Sequence, residues 1–354
     1  MSITIKGKSA KITLDKGSYV FTPYMLELYD NFNQQVFDRK VNTLPTLVDY
    51  SNIIYDIHKQ ERPIYTNDYD SLFSVTFPKI NKNNTKDVLL GFSGGLDSCY
   101  LAILLKEKGY NVHLFHIKNL NNYECNLSYV VGKEFAKHLG FDFIEATFSR
   151  FGGDDNKYKQ FWKDNTSKNQ LIYAIMIDIC AIKGWSIVSL GDDRSMSKDR
   201  PDMILGINST DCREVQDEFE RCVKMLYDNI EFLVIDRSFN STNANKLDRL
   251  LKLKEYGVLD LYYSCVGSGR FNQYNHNLNE KKFNVILPKY NCGCSCAKCA
   301  IHNLLMYYGK IVDYPQDFID KCWERLWNTK YGTIKALFAP EIPLEKRVDN
   351  LFRY

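Results

Sequence analysis

The chain has 354 residues, of which 45% are hydrophobic and 25% charged, so its composition is that of an ordinary globular protein. This composition excludes a disordered tail, a collagen-like chain and a coiled coil. Forty-six basic residues against 43 acidic ones give a net charge of +3, which favours neither general nucleic-acid binding nor membrane binding. The sequence shows no signal-peptide pattern and no apolar run of about 18 residues, so we expect a soluble, cytoplasmic protein.

The first 85 residues predict a small α+β appendage. Alternating apolar and polar residues between positions 2 and 24 predict short antiparallel strands. Apolar residues at helical spacing within 46–60 predict an amphipathic helix. The polar stretch 81–87 then reads as a linker to a second domain, 86–354, and nothing in the appendage indicates a chemical role.

From residue 86 onward the pattern alternates between strand and helix. The apolar run 87–92 is typical of a strand buried on both faces of a parallel sheet. Helices that end at Gly109 and Gly140 separate it from the next two strands, and a further strand precedes Gly191. This alternation predicts a doubly wound, mainly parallel α/β sheet, whose ligands bind beyond the carboxyl ends of the strands.

The most informative motif is Ser93-Gly94-Gly95-Leu96-Asp97-Ser98, between the first core strand and the helix after it. Two glycines let successive backbone amides converge on an anion, and the helix N-terminus adds further donors. Both serines can donate hydroxyl hydrogen bonds, whereas Asp97 either caps the helix or implies Mg²⁺ beside the phosphate. The motif matches neither the Walker pattern nor the dinucleotide-binding pattern.

Four of the eleven cysteines lie within eight residues, at Cys292, Cys294, Cys296 and Cys299. A disulfide framework is a poor explanation in a long chain with an odd number of cysteines. Reduced cysteines scattered through a chain are usually small core residues, but such a cluster is not. The cluster therefore predicts a bound metal, either zinc or, as an alternative, an iron–sulfur cluster.

Residues Ser93 to Ser98 match the S-G-G-x-D-S signature of the PP-loop ATP pyrophosphatases in full, and Gly191 with the two aspartates after it resembles a second feature of that superfamily. Further matches, in family order, resemble the 7-cyano-7-deazaguanine synthase (QueC) branch. They are Lys168-Asn169, the Asp211-Cys212-Arg213 stretch, Cys265 after a serine, and a Cys-Gly…Cys-x-x-Cys close at 292–299.

This resemblance implies an ATP-dependent C–N ligase. It would adenylate the carboxylate of 7-carboxy-7-deazaguanine, and amine attack would then give an amide or nitrile, AMP and pyrophosphate, as in queuosine biosynthesis. Loop residues Ser93 to Ser98 would hold ATP with Mg²⁺, and Ser93, Asp97 and Arg213 would be catalytic. His116 and Gly191 would line the nucleotide site, although a core role for His116 is equally compatible with the sequence.

The resemblance also implies the substrate and metal ligands. Lys168, Asn169, Asp211 and Arg213 would bind the deazaguanine, although Asp211 is also a suitable N-cap for an ordinary helix. Within the segment 265–299 the implied zinc ligands are Cys265, Cys292, Cys296 and Cys299. Cys294 remains an alternative to Cys292, because the local spacing is one residue longer than in the family.

Several departures from the family pattern leave the acceptor open. Lys168 stands where the family has arginine, and both the appendage and an insertion at 192–203 have no counterpart in the minimal enzyme. One alternative is a QueC-like enzyme of a bacterial antiviral defence operon, which would join the deazaguanine to an amine of a partner protein. A tRNA-modifying PP-loop enzyme and a non-catalytic scaffold are further alternatives, and a homodimer is compatible with each.

Overall fold

The structure is a computed structural model that describes only part of the chain. For the strands of the first 85 residues it describes the backbone alone. Described are residues 2–6, 9–14, 17–21, 64–66, 72–73, 86–118, 127–148, 172–173, 176–177, 179–180, 183–191, 220, 223–224, 229–233, 245–263, 273–329 and 332–353.

The described strands form one ten-stranded sheet, in the order β10-β9-β6-β7-β8-β1-β2-β3-β4-β5. The strands are β1 (Ser2–Lys6), β2 (Ser9–Leu14), β3 (Gly17–Phe21), β4 (Ile64–Thr66), β5 (Leu72–Phe73), β6 (Asp87–Gly91), β7 (Asn111–Lys118), β8 (Asp142–Phe148), β9 (Ile187–Leu190) and β10 (Glu231–Leu233).

Five of these strands, β6 to β10, are parallel and confirm the predicted doubly wound α/β sheet. The chain runs outward from β6 through β7 to β8, then returns to place β9 on the other side of β6. The strand order therefore reverses between β6 and β9, which is where ligands of such sheets bind. Val88, Leu89 and Leu90 of β6 are fully buried, as the continuous apolar run predicted.

The strands of the first 85 residues extend this sheet. β1, β2 and β3 pair antiparallel in sequence, as predicted, and β4 and β5 continue the same pattern. The other edge of β1 pairs in parallel with β8, a connection that the sequence did not indicate. The domain boundary at residue 85 stays a prediction, and the helix predicted at 46–60 lies outside the described residues.

Eight helices are described with complete bounds. They are α1 (Leu96–Glu107), α2 (Leu127–Leu139), α3 (Lys246–Glu255), α4 (Gln273–Phe283), α5 (Ala297–Tyr308), α6 (Gln316–Trp327), α7 (Gly332–Leu337) and α8 (Leu344–Arg353).

Local signals account for several of the helix boundaries. Gly109 and Gly140 have the positive φ of helix-ending glycines, at 77° and 72°. Asn245 begins α3 with a capping box, in which its side chain accepts from the Asp248 amide and its amide donates to the Asp248 carboxylate. The sequence analysis missed α4, α6, α7 and α8.

The chain divides into two compact units. Unit 1 comprises 1–91, 105–121 and 142–240 and contains the sheet. Unit 2 comprises 92–104, 122–141 and 241–354. Unit 2 therefore contains the motif Ser93–Ser98, called the phosphate loop below, which follows β6 closely in the chain, and the cysteine cluster.

A histidine in unit 1 joins the amino ends of three strands. Nε2 of His113 lies 3.0 Å from Oδ1 of Asp87 and its Nδ1 lies 3.0 Å from Oδ2 of Asp142, while its ring stacks on Trp185 at 4.0 Å. Burial of the imidazole opposes its protonation, but the two carboxylates outweigh this effect and raise the pKa of His113. The amino ends of parallel strands face away from the ligand-binding edge, so the interaction stabilises the fold.

We expect this interaction to make stability depend on pH. Because the folded-state pKa is raised, the stabilisation is complete below the ordinary histidine pKa of 6.5 and is lost as pH rises through the folded-state value. The free energy of unfolding from urea titrations should therefore fall more steeply with rising pH, from pH 6 upward, in the wild type than in a His113→Gln variant. A His138→Gln variant, altered at an exposed position of α2, should follow the wild type. Equal pH dependence in all three proteins would contradict the assignment.

Candidate active site

The phosphate-loop motif lies at the start of α1. β6 ends at Gly91 beside β9, and the chain continues through residues 92–95 into the first helical residue, Leu96. The amide of Cys99 donates to the Gly95 carbonyl at 3.0 Å, so Gly95, not Asp97, occupies the N-cap position. The capping role that the sequence left open for Asp97 is therefore not the one it has in the structure.

The two serines of the motif hold the loop in shape. The Gly95 amide donates to Oγ of Ser93 at 3.2 Å, and Oγ of Ser98 donates to the Gly95 carbonyl at 3.0 Å. The two hydroxyl oxygens lie 3.1 Å apart, so they also form a hydrogen bond with each other. Ser98 is buried at 2% exposure, whereas Ser93 is exposed and can reach a ligand.

Gly94 is required by both its backbone angle and its surroundings. Its φ of 73° is in the left-handed region that favours glycine. A Cβ here would lie 3.1 Å from Cγ1 of Val131 and 3.3 Å from the carbonyl oxygen of Ser128, both on α2. The Gly94 carbonyl accepts a 2.6 Å hydrogen bond from the Tyr263 amide. The loop is therefore fixed from two sides, by α2 and by the segment before Cys265.

The first turn of α1 presents a set of backbone donors. The amides at the start of a helix have no acceptor within the helix, and here these are the amides of Gly95, Leu96, Asp97 and Ser98. Ser93 satisfies the first of them. The remaining three point along the helix axis at its positive end, so their geometry suits an anion such as a phosphate group.

Asp97 lies between two cations of α3. Its Oδ1 accepts from Nζ of Lys246 at 2.6 Å and from Nη1 of Arg249 at 2.5 Å. Burial raises the energy of the charged carboxyl, but the charges of Lys246, Arg249 and Lys298 outweigh it and hold the pKa of Asp97 well below its usual range. Asp97 is therefore ionised, and it holds two cationic side chains beside the N-terminus of α1.

Helix α3 explains why both cations reach the same carboxylate. Lys246 and Arg249 are three residues apart, so they lie on one face of the helix. The capping box at Asn245 fixes where the helix begins. Arg249 is only 5% exposed, and its guanidinium lies 5.8 Å from the ring centre of Tyr100. Arg249 is therefore held by packing, whereas the more exposed Lys246 has greater freedom to move.

A neutral histidine lies near this charged group. Burial of His302 on α5, together with the charges of Lys298 and Lys246, lowers its pKa to about 3. Its Nδ1 lies 3.3 Å from the Tyr262 hydroxyl. His302 is therefore uncharged at neutral pH and contributes a hydrogen bond rather than a charge.

Three cysteines converge at the start of α5. The sulfur atoms of Cys292, Cys296 and Cys299 all lie within 4.8 Å of one another. Cys296 is the N-cap of α5, and its Sγ accepts from the Cys299 amide at 3.4 Å. A tetrahedral zinc at about 2.3 Å from each thiolate separates its ligands by about 3.8 Å. The three sulfurs therefore fit zinc after a small contraction.

The structure separates Cys294 from this group. Sγ of Cys294 donates to Oδ1 of Asn279 at 3.1 Å, and burial raises the pKa of the Cys294 thiol. A thiol with a raised pKa is a poorer metal ligand than a thiolate. Of the two cysteines that the sequence offered for this position, Cys292 is thus the one that lies in the cluster. Cys265, the fourth ligand implied by the resemblance, lies outside the described residues.

Asparagines shape the loop that carries these cysteines. Asn279 donates to the Cys292 carbonyl at 3.0 Å, Asn303 donates to the Gly293 carbonyl at 3.2 Å, and the Gly293 amide donates to Asn291 at 2.8 Å. Gly293 has a φ of 67°, and a Cβ there would lie 2.9 Å from Cβ of Asn279. Glycine is thus required between the two cysteines, and buried amides replace the ordinary backbone partners of the loop.

Two of the other residues predicted for the site, His116 and Gly191, are among the described residues. His116 of β7 is 7% exposed, and its ring stacks on Phe143 at 6.3 Å. Gly191 follows the last residue of β9, as predicted, and both lie in unit 1. The remaining predicted substrate residues lie outside the described residues: Lys168, Asn169, Asp211 and Arg213.

The structure adds residues that the sequence analysis missed. Lys246, Arg249 and Lys298 surround Asp97 electrostatically, and Tyr263 contacts the loop through its backbone. An N-cap asparagine followed by basic residues at helical spacing was visible at 245–249, but only the fold brings that face to a carboxylate about 150 residues away in the chain. No helix within the described residues is long and apolar enough to span a membrane.

Comparison with known proteins gives limited matches. No family model matches the chain. A stretch of 64 residues is 44% identical to an uncharacterized protein of Methanocaldococcus jannaschii, and the match covers 18% of this chain and 30% of that protein. The chain thus spans less than a third of the length of this curated relative.

Two solved structures were also found to be similar. One is a predicted subunit of a tRNA methyltransferase from Methanocaldococcus jannaschii, 22% identical over 51% of this chain and 94% of that one, with a TM-score of 0.27. The other is the U34-tRNA thiolase NcsA from Methanococcus maripaludis with its 4Fe–4S cluster. It is 15% identical over 57% of this chain and 68% of that one, with a TM-score of 0.31.

The ion pairs of Asp97 lead to a stability prediction. Asp97→Asn leaves the cations of α3 without this carboxylate, so we expect a loss of roughly 1–3 kcal/mol of unfolding free energy at pH 7, measured by urea titration. Glu324→Gln, which breaks the exposed pair with Lys321, is the control and should change stability by less than about 0.5 kcal/mol.

The same pair of proteins gives a pH test of the charge on Asp97. Because the folded-state pKa is lowered, the advantage of the wild type over Asp97→Asn should persist above the ordinary value of 3.8 and shrink as pH falls below it. An Asp97→Asn protein as stable as the wild type at pH 7 would contradict the assignment.

Proposed function

We propose that the chain is an ATP-using enzyme of the PP-loop ATP pyrophosphatase type. The observation that supports this most directly is the loop of residues 93–98. It follows β6 where the strand order reverses, and it leaves the three amides of Leu96, Asp97 and Ser98 at the positive end of α1. With the S-G-G-x-D-S motif in that position, the best-suited ligand is the pyrophosphate portion of ATP.

The cations around Asp97 suit the same ligand. Lys246 lies 2.6 Å from Asp97 and is 17% exposed, so it can turn toward a phosphate oxygen beside the helix N-terminus. Arg249 is more deeply buried and keeps Asp97 ionised.

Among the described residues, only the cysteine group brings ligand atoms of three residues within 4.8 Å of one another. Mg²⁺ would therefore arrive with ATP and be held mainly by phosphate oxygens and water.

The reaction we propose is adenylation of a carboxylate, with 7-carboxy-7-deazaguanine as the substrate. A carboxylate oxygen attacks the α-phosphorus of ATP, the bond to the bridging oxygen breaks, and pyrophosphate leaves on the loop amides. An amine nitrogen then attacks the acyl carbon, AMP leaves, and the nitrogen loses a proton. The loop contributes by stabilising the negative charge that accumulates on the leaving pyrophosphate.

The reaction is tested by incubating the pure protein with ATP, ammonia and 7-carboxy-7-deazaguanine. Pyrophosphate release and the mass of every product, including that of the protein, are then measured. We expect pyrophosphate and AMP in equal amounts, with an amide or nitrile of the deazaguanine. A mass increase on an amine of the protein instead would favour the conjugation alternative. A parallel incubation with ATP, tRNA and sulfide that releases pyrophosphate and adds mass to the tRNA would favour the tRNA-modifying one. Absence of pyrophosphate release with all three substrates would overturn the proposal.

The loop hydroxyls give a site-specific prediction. Ser93→Ala and Ser98→Ala each remove a hydrogen bond that shapes the loop, worth about 0.5–1.5 kcal/mol, so ATP affinity should fall by roughly 3- to 10-fold. Isothermal titration calorimetry with a non-hydrolysable ATP analogue measures this change. Ser186 lies outside the loop and is buried, as Ser98 is. A Ser186→Ala variant is therefore the control and should bind the analogue as the wild type does. Equal affinity in all four proteins would place the nucleotide elsewhere.

For the cysteine cluster we propose a structural zinc. Cys292, Cys296 and Cys299 supply three thiolates, and the resemblance supplies Cys265 as the fourth. Four thiolates leave no open coordination position, so the metal would stabilise the loop without taking part in the reaction.

Metal analysis distinguishes this proposal from its alternatives. Elemental analysis should find one zinc per chain, and Cys292→Ser should lower zinc content well below one. Cys294→Ser is the matched control, since its sulfur bonds to Asn279, and it should retain the metal. Visible absorption with iron and sulfide in the purified protein would instead show an iron–sulfur cluster. Loss of metal in Cys294→Ser but not in Cys292→Ser would contradict the ligand assignment.

A further inference from the structure

The segment Leu261–Tyr263 contacts the phosphate loop and the helix that follows it. The Tyr263 amide donates to the Gly94 carbonyl at 2.6 Å, and the Tyr263 carbonyl oxygen lies 3.9 Å from the position of a Cβ on Gly95. The Cys99 thiol of α1 donates to the Leu261 carbonyl at 3.8 Å. The backbone of this segment therefore sets the position of the two glycines of the loop.

The side chains of the same segment contact the cysteine cluster and the helix that it begins. The Tyr263 side chain packs against the buried pair Cys292 and Cys299, as does Cys296. The Tyr262 hydroxyl bonds to His302, which is six residues after Cys296 on α5. Tyr263 thus contacts the phosphate loop through its backbone and packs with its side chain against two of the proposed metal ligands, Cys292 and Cys299.

We propose that Tyr263 is a positioning residue that couples metal binding at the cysteine cluster to nucleotide binding at the phosphate loop. Cys292 and Cys299, against which the Tyr263 side chain packs, would be fixed in place when they hold a metal. Because ring and amide belong to one residue, this also fixes the donor to Gly94 and orders the loop before ATP arrives. The inference rests on the proposed function, since it concerns the affinity of the loop for a nucleoside triphosphate.

The coupling must be reciprocal. If zinc raises the affinity for nucleotide by some factor, nucleotide raises the affinity for zinc by the same factor. Couplings of this kind typically amount to roughly 5- to 100-fold. Equal ratios in the two directions are required of any equilibrium coupling, including one through global folding, so they check the measurements, and the Tyr263 variants distinguish coupling through this residue from a general loss of structure.

The test uses the full chain, zinc and an ATP analogue with a methylene bridge between the α and β phosphates. Calorimetry gives the affinity of the zinc-loaded and zinc-free protein for the analogue, and we expect the zinc-loaded form to bind at least about 5-fold more tightly. Competition with a chromophoric chelator gives the zinc affinity with and without the analogue, and we expect the same ratio. If the zinc-free protein does not stay folded, the zinc-loaded wild type and the zinc-loaded Tyr263→Ala variant are compared instead, and the variant should bind the analogue at least about 5-fold more weakly.

Two variants assign the coupling to Tyr263. Tyr263→Ala removes the ring but leaves the amide and all cysteines, so it should bind one zinc per chain with a coupling ratio close to one. Tyr263→Phe keeps the ring and should retain the wild-type ratio. The inference is overturned if zinc-loaded and zinc-free wild type bind the analogue equally, or if Tyr263→Ala keeps the full ratio. Failure of every form to bind the analogue would instead overturn the proposed function.

Discussion

The backbone donors at the first turn of α1 are the feature around which the surrounding residues are arranged. Helix amides without an internal acceptor need an anion or water, and here they follow the strand at which the sheet reverses its order. The residues around these amides hold the loop in position. Gly94 permits the turn, the two serines hold it, and Tyr263 bonds to it from the other side. The loop is therefore held in a fixed shape in which the helix amides are arranged as an anion would require.

Charge is organised around the same point. An acidic residue beside a phosphate site is unfavourable by itself, but Asp97 is paired with Lys246 and Arg249, and its pKa is held low by them and by Lys298. The positive charges of Lys246 and Arg249 on α3 and of Lys298 on α5 thus all stabilise the Asp97 carboxylate. Lys298 lies between Cys296 and Cys299 in the sequence, so the segment that carries the proposed metal ligands also contributes to the electrostatics around Asp97.

Much of this could be predicted from the sequence, because the decisive signals are local. The alternation of strands and helices, the glycines that end helices, and the spacing of Cys296 and Cys299 are all patterns among residues that are close in the sequence. What could not be predicted depends on contacts between distant segments. The pairing of β1 with β8, and of Asp97 with α3, has no local signature. The choice of Cys292 over Cys294 required knowing that Asn279 takes up the second thiol.

The most direct test is a crystal structure of the protein with an ATP analogue that cannot be cleaved between the α and β phosphates. The account predicts phosphate oxygens within about 3 Å of the amide nitrogens of Leu96, Asp97 and Ser98, with Lys246 turned toward them. Density for the nucleotide at another place, with these amides bonded to acceptors of the protein itself, would contradict it.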